Sequence, residues 1–328
     1  MKAKNPLVSI LTSCYNGSKF IERYGECLLA QTYRPLECII VNDGSEDDSA
    51  RKLEELSIKV KNADIGLKIV HQNNMGLAGG ISTAFSHSKG EYLICWDIDD
   101  IFSSDNVETL ANLLIDNPEA GAALANGYHV DDTNPGILLQ SFSERHSNFC
   151  PEKNIYEQLV LGNTWNWAGS YMVRAEILIS VYGNRSVPIA QAWKNAQNLQ
   201  LLLPAAKKGC VYTPDRVMRY VRNTSSLINK DSSYEKQLHL MNIFHGIRRE
   251  MLDILGEKNF NESLNNHYNE IRLLLAYTHH RVDDFNKEYR ILKTKSIEYR
   301  LFNALINHHS SIKIAFFRLL NKIAKFFK

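Results

Sequence analysis

The sequence has little of what marks several protein classes. Its 328 residues include only six cysteines, a density too low for a disulfide scaffold, and no two are spaced as C-x-x-C, so neither a zinc knuckle nor a thioredoxin-like centre is suggested. Seventeen glycines and eight prolines are too few for a collagen-like or low-complexity chain. Charge of one sign is not in excess. Against 38 Lys and Arg stand 36 Asp and Glu, a net of +2, so the global signature of a basic nucleic-acid binder is missing. No apolar run approaches the roughly 18–20 residues that cross a bilayer. These absences leave a folded chain, 44% apolar, long enough for one large domain or two.

Most of the cysteines (14, 27, 38, 95, 150 and 210) sit in apolar runs, as free thiols in a reducing compartment do. Met1-Lys2-Ala3-Lys4 before the apolar stretch 7–12 has the order of a secretory signal, but that stretch is short and breaks at Tyr15-Asn16-Gly17. It reads instead as a first buried strand, and the expected location is cytoplasmic. The near-neutral total hides an asymmetry. Residues 230–328 carry 17 basic and 11 acidic side chains, whereas residues 1–229 carry 21 and 25, which suggests different tasks for the two ends.

Hydrophobic periodicity predicts strands at 7–13, 36–41, 67–71 and 91–96 and helices at 18–31, 47–61, 76–88 and 104–117, the last stopped by Pro118. Strand and helix alternate with short connections, the pattern of a mainly parallel sheet with helices on both faces. Further strands are expected at 120–130, before 174, at 211–212 and at 217–221, with a polar loop over 131–150 and a helix over 190–208. Beyond about 232 only helical periodicity remains, over 234–255, 262–281, 283–307 and 311–328. The expected division is an α/β domain at 1–228 and a helical region at 229–328.

In such a sheet, ligands bind outside the carboxyl ends of the strands. Three strands end in polar clusters: Ser13-Cys14-Tyr15-Asn16, Asn42-Asp43-Gly44-Ser45 and Asp97-Ile98-Asp99-Asp100. Carboxylates converging in the last cluster repel one another unless a cation lies between them. Hard oxygen ligands suit Mg²⁺ or Mn²⁺, shared with a diphosphate. The plainer alternative is a loop whose Asp100 or Ser103 caps the helix at 104. Tyr15 and Asp43 suit a uracil-like base, the ring stacking and the carboxylate accepting the base N–H; a part-buried Tyr and a turn-forming Asp-Gly are the alternatives. Asn74 and Gly76 open the helix after the third strand, where free N–H groups can face a phosphate or sugar. Gly79-Gly80 within that helix suits close packing on the sheet.

Pro6-Leu7-Val8-Ser9-Ile10-Leu11-Thr12-Ser13-Cys14-Tyr15-Asn16, then Gln31-Thr32-Tyr33, then Val41-Asn42-Asp43-Gly44-Ser45 resembles the start of family 2 glycosyltransferases of the GT-A fold. Gly90-Glu91-Tyr92-Leu93 leading into Asp97-Ile98-Asp99-Asp100 is similar to the strand before that family's D-x-D motif. The resemblance covers about residues 5–225. It implies a GT-A, Rossmann-like α/β fold and an inverting transfer from a nucleotide-diphospho-sugar, commonly UDP-linked. Ser13, Tyr15 and Asp43, with Asn16, Asn74 and Gly76 nearby, would hold the donor; Asp97 would approach the ribose or metal; Asp99 would be the main metal ligand. Two departures matter. The family's usual Arg in the helix after the third strand is absent, the sequence there being Leu77-Ala78-Gly79-Gly80. Where the family has the Glu-Asp that supplies its general base, this chain has Gln197-Asn198, and an amide does not take a proton at neutral pH. Gln197 and Asn198 are expected to orient the acceptor, with Asp131 or Asp132 as base candidates and loss of the proton through a donor phosphate as the alternative.

Residues 311–328 place Ser311, Arg318, Asn321, Lys322, Lys325 and Lys328 on one helical face and Phe316, Leu319, Leu320, Ile323, Phe326 and Phe327 over most of the rest. This is the pattern of a helix lying in an anionic membrane interface; docking on neighbouring helices or on a second copy of the chain is the alternative. The expectation is therefore an enzyme peripheral to the inner face of the cytoplasmic membrane, adding a sugar to a saccharide or lipid-linked saccharide for lipopolysaccharide, O-antigen or capsule. Rival readings are a non-catalytic nucleotide-sugar binder, suggested by the missing base, and a nucleotidyltransferase. The latter generally needs a Gly-rich loop after the first strand, which 13–17 does not supply.

Overall fold

The computed structural model describes residues 5–187, 196–222, 233–279 and 281–292. The chain divides into two compact units, Met1–Leu227 with Glu250–Gly256, and Ile228–Arg249 with Glu257–Lys328. The expected single cut at 228 lies outside the described residues, and the first unit includes a later segment that sequence reading did not assign to it.

The first unit begins with β1 (Val8–Cys14), α1 (Ile21–Leu29), β2 (Leu36–Asp43), α2 (Ser49–Val60), β3 (Gly66–Gln72), α3 (Gly76–His87) and β4 (Tyr92–Cys95). All seven residues of β1 are buried, as befits a central parallel strand covered on both faces. β1 pairs in parallel with β2 and β4, and β2 with β3, so this half matches the parallel expectation. The other half is mixed. After β5 (Ile101–Phe102) and α4 (Asn106–Asp116) come β6 (Ala122–Asp131), β7 (Leu138–Ser141), α5 (Phe142–Arg145), α6 (Ile155–Leu161), β8 (Tyr171–Arg174), α7 (Ala175–Tyr182), α8 (Gln197–Lys207) and β9 (Cys210–Arg222). The sheet order is β3-β2-β1-β4-β8-β6-β9-β5, with β7 beside β6. β8 enters antiparallel between β4 and β6, while β6 and β9 are parallel.

Two expected strands at 211–212 and 217–221 form one strand, β9. Its register against β6 jumps from Ala125–Thr213 to Asn126–Arg216. Pro214, which has no N–H for the ladder, lies inside that bulge. The region expected to be a polar loop contains β7 and α5. Leu138 and Leu139 of β7 are exposed, so apolar alternation could not announce it.

Side-chain ties fix the segment carrying the Asp cluster. Trp96 stacks on Phe102 with ring centroids 3.9 Å apart, and its indole N–H donates to Asn106 Oδ1 at 3.0 Å. Asn106 Nδ2 in turn donates to the carbonyls of Gly169 and Val217. Buried Gln31 donates to the Ser103 carbonyl and accepts from Val107 N–H, joining α1 to the start of α4. A Cβ on Gly80 would sit 2.1 Å from Ser13 Oγ, so the expected close packing of α3 on β1 rests on this glycine.

The second unit is helical throughout its described residues. α9 (Tyr234–Ile254), whose last turn falls in the first unit, is followed by α10 (Asn261–Thr278) and α11 (Val282–Ile291). Tyr234, Leu273, Ala276, Phe285 and Leu292 form its apolar core. Arg248 donates to Tyr268 Oη at 2.8 Å, and Arg272 pairs with Glu288 at 3.4 Å. The helix expected at 311–328 and the end of that expected at 283–307 lie outside the described residues.

Candidate active site

Register brings the three polar strand ends together. Cys14 lies beside Asn42, and Asp43 beside Gln72. Asp43 is 1% exposed; its Oδ1 accepts from Gln72 Nε2 at 2.7 Å and from Met75 N–H at 2.9 Å. Tyr15 is half exposed, its ring open to a planar partner. Asn16, at φ 49°, is held by Ser45 Oγ through its own N–H and by Glu46 N–H through its side chain. Gly44 adopts φ 76°, and a Cβ there would lie 2.8 Å from Asn74 N, so Asn74 rests directly on the end of β2. Its side chain accepts from Gly76 N–H at 3.0 Å. The Met75 and Gly76 N–H groups, the first of α3, are therefore taken by Asp43 and Asn74 and do not form a free phosphate cradle. Ser13 is buried beneath Gly80, so it supports the site from below.

The Asp cluster is crowded with negative charge. Burial, then the Asp99 charge, pushes the Asp97 carboxyl up to about 7. Burial also raises Asp99, against the pull of Arg23 and Lys19; an Arg23 guanidinium N–H donates to the Asp99 carbonyl. Asp100 is raised well above the carboxylate range by burial and then by Asp99 and Asp97. It caps no helix. Its Oδ1 accepts from Val221 N–H at 2.9 Å, and its Oδ2 is buried without a hydrogen-bond partner among the described residues. Ser103 donates to the Val217 carbonyl instead of capping α4. Sequence reading missed this fastening role of Asp100, because the β9 backbone it meets lies 121 positions away.

Among the described residues no group of three or more His, Cys, Asp or Glu is arranged to hold a metal. A cation of the Mg²⁺ type needs only one or two carboxylates together with substrate phosphates, and the repulsion between Asp97 and Asp99 is of the kind such a cation relieves.

A cavity of about 220 Å³ beside this cluster is lined by Lys19, Phe20, Arg23, Asp99, Asp132 and Val221. Asp132 thus shares a space with Asp99. Asp131 does not line it: its carboxylate accepts from Thr133 N–H and Oγ1, bonds that hold it below the usual carboxylate range. Asn198 opens α8 and accepts from Tyr171 Oη at 2.7 Å, which leaves its NH₂ as a donor. Gln197 is buried, with Oε1 unpartnered among the described residues.

A second set of residues went unrecognised in the sequence. β6 and β9 pair His129 with Tyr220 and Asp131 with Arg222, so these four share one face of the two strands. Trp167 stacks on Tyr220 with centroids 4.9 Å apart, and His129 meets Phe142, Trp167 and Tyr220 edge-on. Burial, then the charges of Asp100, Asp97 and Asp99, raises the Tyr220 phenol, which sets this aromatic wall next to the acidic cluster. Only the aromatic richness of Asn163-Thr164-Trp165-Asn166-Trp167 hinted at it.

Residues 9–181 match the family model for glycosyl transferase family 2, and the chain belongs to that family. It is 28% identical to the glycosyltransferase GlyG of Streptococcus pneumoniae over 162 residues, 49% of this chain and 51% of that one. It is 24% identical to an uncharacterized glycosyltransferase of Haemophilus influenzae over 314 residues, 92% and 87% of the two chains. The chain thus spans about half the length of GlyG and less of several other curated relatives. In fold it is similar to residues 1–349 of Staphylococcus aureus TarS, solved with UDP-GlcNAc, at TM-score 0.59 and 15% identity over 83% of this chain and 75% of that one. The fold is the GT-A type, and membership of the family removes the nucleotidyltransferase alternative.

Proposed function

We propose that this chain transfers a sugar, with inversion, from a UDP-type nucleotide-diphospho-sugar to a hydroxyl of a saccharide acceptor, in the assembly of a surface polysaccharide. The observation carrying this is the meeting of Tyr15, Asp43, Asp97 and Asp99 at the carboxyl ends of adjacent strands. The Tyr15 ring stacks on the base, and the Asp43 oxygen not engaged by Gln72 and Met75 accepts the base N–H. Asp97 and Asp99 would hold Mn²⁺ or Mg²⁺ with the donor diphosphate. Such a cation supplies neutralisation of the charge that builds on the departing diphosphate. Asn198, fixed by Tyr171, offers its N–H to the acceptor. Asp132 takes the proton from the acceptor hydroxyl as that oxygen attacks the anomeric carbon; its sharing of a cavity with Asp99 supports this reading.

The amide at position 198 favours one second reading, a nucleotide-sugar binder without turnover. Calorimetry with UDP-sugars, with and without Mn²⁺, tests the donor site. Asp99→Ala is expected to weaken Mn²⁺-supported binding by about tenfold or more; equal affinity in both proteins would sink the assignment. Slow hydrolysis of the sugar by the same wild-type samples would exclude the non-catalytic reading.

A further inference from the structure

We infer that the face of β6 and β9 beside the acidic cluster is an acceptor subsite for a saccharide carrying an anionic group, held by Arg222 and Arg145. The inference rests on the glycosyltransferase reading above and adds the chemical class of the acceptor.

The first support is unmatched positive charge. Arg222 ends β9, and its Nη2 is buried without a hydrogen-bond partner among the described residues. Burial, then the neighbouring Arg145 charge, lowers its guanidinium. Neither arginine makes an ion pair among the described residues. Asp131 is the register partner of Arg222, but its carboxylate is turned to Thr133. The other arginines of this edge are engaged: Arg216 lies over the Tyr128 ring at 4.9 Å, and Arg219 donates to the Pro135 carbonyl. Two neighbouring guanidiniums without an ion pair among the described residues repel each other, and an anion bridging them removes that repulsion.

The second support is independent of charge. His129 is 2% exposed, and among the described residues both its ring nitrogens lack hydrogen-bond partners, as does the indole N–H of Trp167. Buried polar atoms left unpaired in a folded protein point to a missing partner. His129 stays neutral here, because burial and then the Arg222, Arg145 and His146 charges drive it down to about 3. Its ring therefore carries one donor and one acceptor that call for polar partners. Trp167 and Tyr220 are part-buried and stacked on each other, and aromatic rings are the usual partners of a sugar ring's C–H face. Unpaired polar groups, an aromatic pair and two arginines together describe a sugar with an acid group, either a phosphate or a uronate carboxylate.

The test uses the full chain saturated with UDP and Mn²⁺, titrated with glucose, glucose 6-phosphate and glucuronate, and it measures UDP affinity separately. Binding of one or both charged sugars about tenfold tighter than glucose is expected, and which of the two gains identifies phosphate or carboxylate. Arg222→Gln, and independently the exposed Arg145→Gln, should erase that preference and leave UDP affinity unchanged. Equal binding of charged and neutral sugars would overturn the inference. So would a loss of UDP affinity in Arg222→Gln, which would place this arginine on the donor diphosphate. Absence of UDP binding in the wild type would instead overturn the donor reading, so the two failures are told apart.

Discussion

Single residues here carry consequences that their neighbours in sequence do not foretell. His129 is held neutral to about pH 3, whereas an unfolded histidine takes a proton near 6.5. Its folded value is depressed, so its contribution is complete above pH 6.5 and is lost as pH falls from there towards 3. The loss is up to about 1.4 kcal/mol per pH unit. Urea melts between pH 7 and 4 should therefore show a shallower acid loss for His129→Phe than for the wild type. Asp100 gives a different case. Its Oδ1 is the acceptor for the Val221 N–H, and Asp100→Ala would strand that donor at a cost of about 1–3 kcal/mol. Asp100→Asn keeps an acceptor oxygen and a neutral group, and thermal melts should place it much nearer the wild type. The Asp cluster was legible in the sequence because its members are contiguous. Arg145, Trp167 and Arg222 were not, because only the pairing of β6 with β9 and the placement of α5 bring them together.

At the scale of elements, the first half of the fold could be read from period alone, since short apolar strands alternate with amphipathic helices from β1 to α4. The second half could not. α6 is only seven residues long and is set by the Asn154 cap and by Gly162 at φ 74° rather than by a long stripe. β9 is interrupted by its bulge at Pro214, which disguised one strand as two. Helix α3 shows a contest between propensity and packing. In an exposed helix Gly→Ala stabilises by about 1 kcal/mol. At Gly80 the added methyl would meet Ser13 Oγ at 2.1 Å and Ser13 Cβ at 2.6 Å, and overpacking of that kind costs about 1–3 kcal/mol. Packing should win. Gly80→Ala is expected to lower the melting temperature and, by pushing on Ser13 beneath the proposed donor site, to weaken UDP binding as well.

The whole molecule combines an acidic α/β unit with a basic helical region, and its near-zero net charge is the sum of the two. Among the described residues no helix is long and apolar enough to cross a membrane. Five basic side chains and no acidic one fall in the last 19 residues. Contact with an anionic bilayer through 311–328 is accordingly proposed as the route to a lipid-linked acceptor. Sedimentation with liposomes containing anionic lipid should carry the full chain down at low salt and release it as salt rises. Unchanged sedimentation after removal of 311–328 would rule the tail out.

The return of Glu250–Gly256 to the first unit bears on how the protein is made. Met251 and Leu252 are fully buried. Tyr182 Oη reaches Met251 Sδ at 3.8 Å, and Lys207 Nζ donates to the Leu255 carbonyl. A ribosome delivering the chain from its amino end therefore cannot release a finished catalytic unit when residue 228 emerges. That unit stays open along α7 and α8 until Gly256 has cleared the exit tunnel, by which time α9 has been synthesised in full. Closure of the α/β unit is thereby timed by the helical region that follows it.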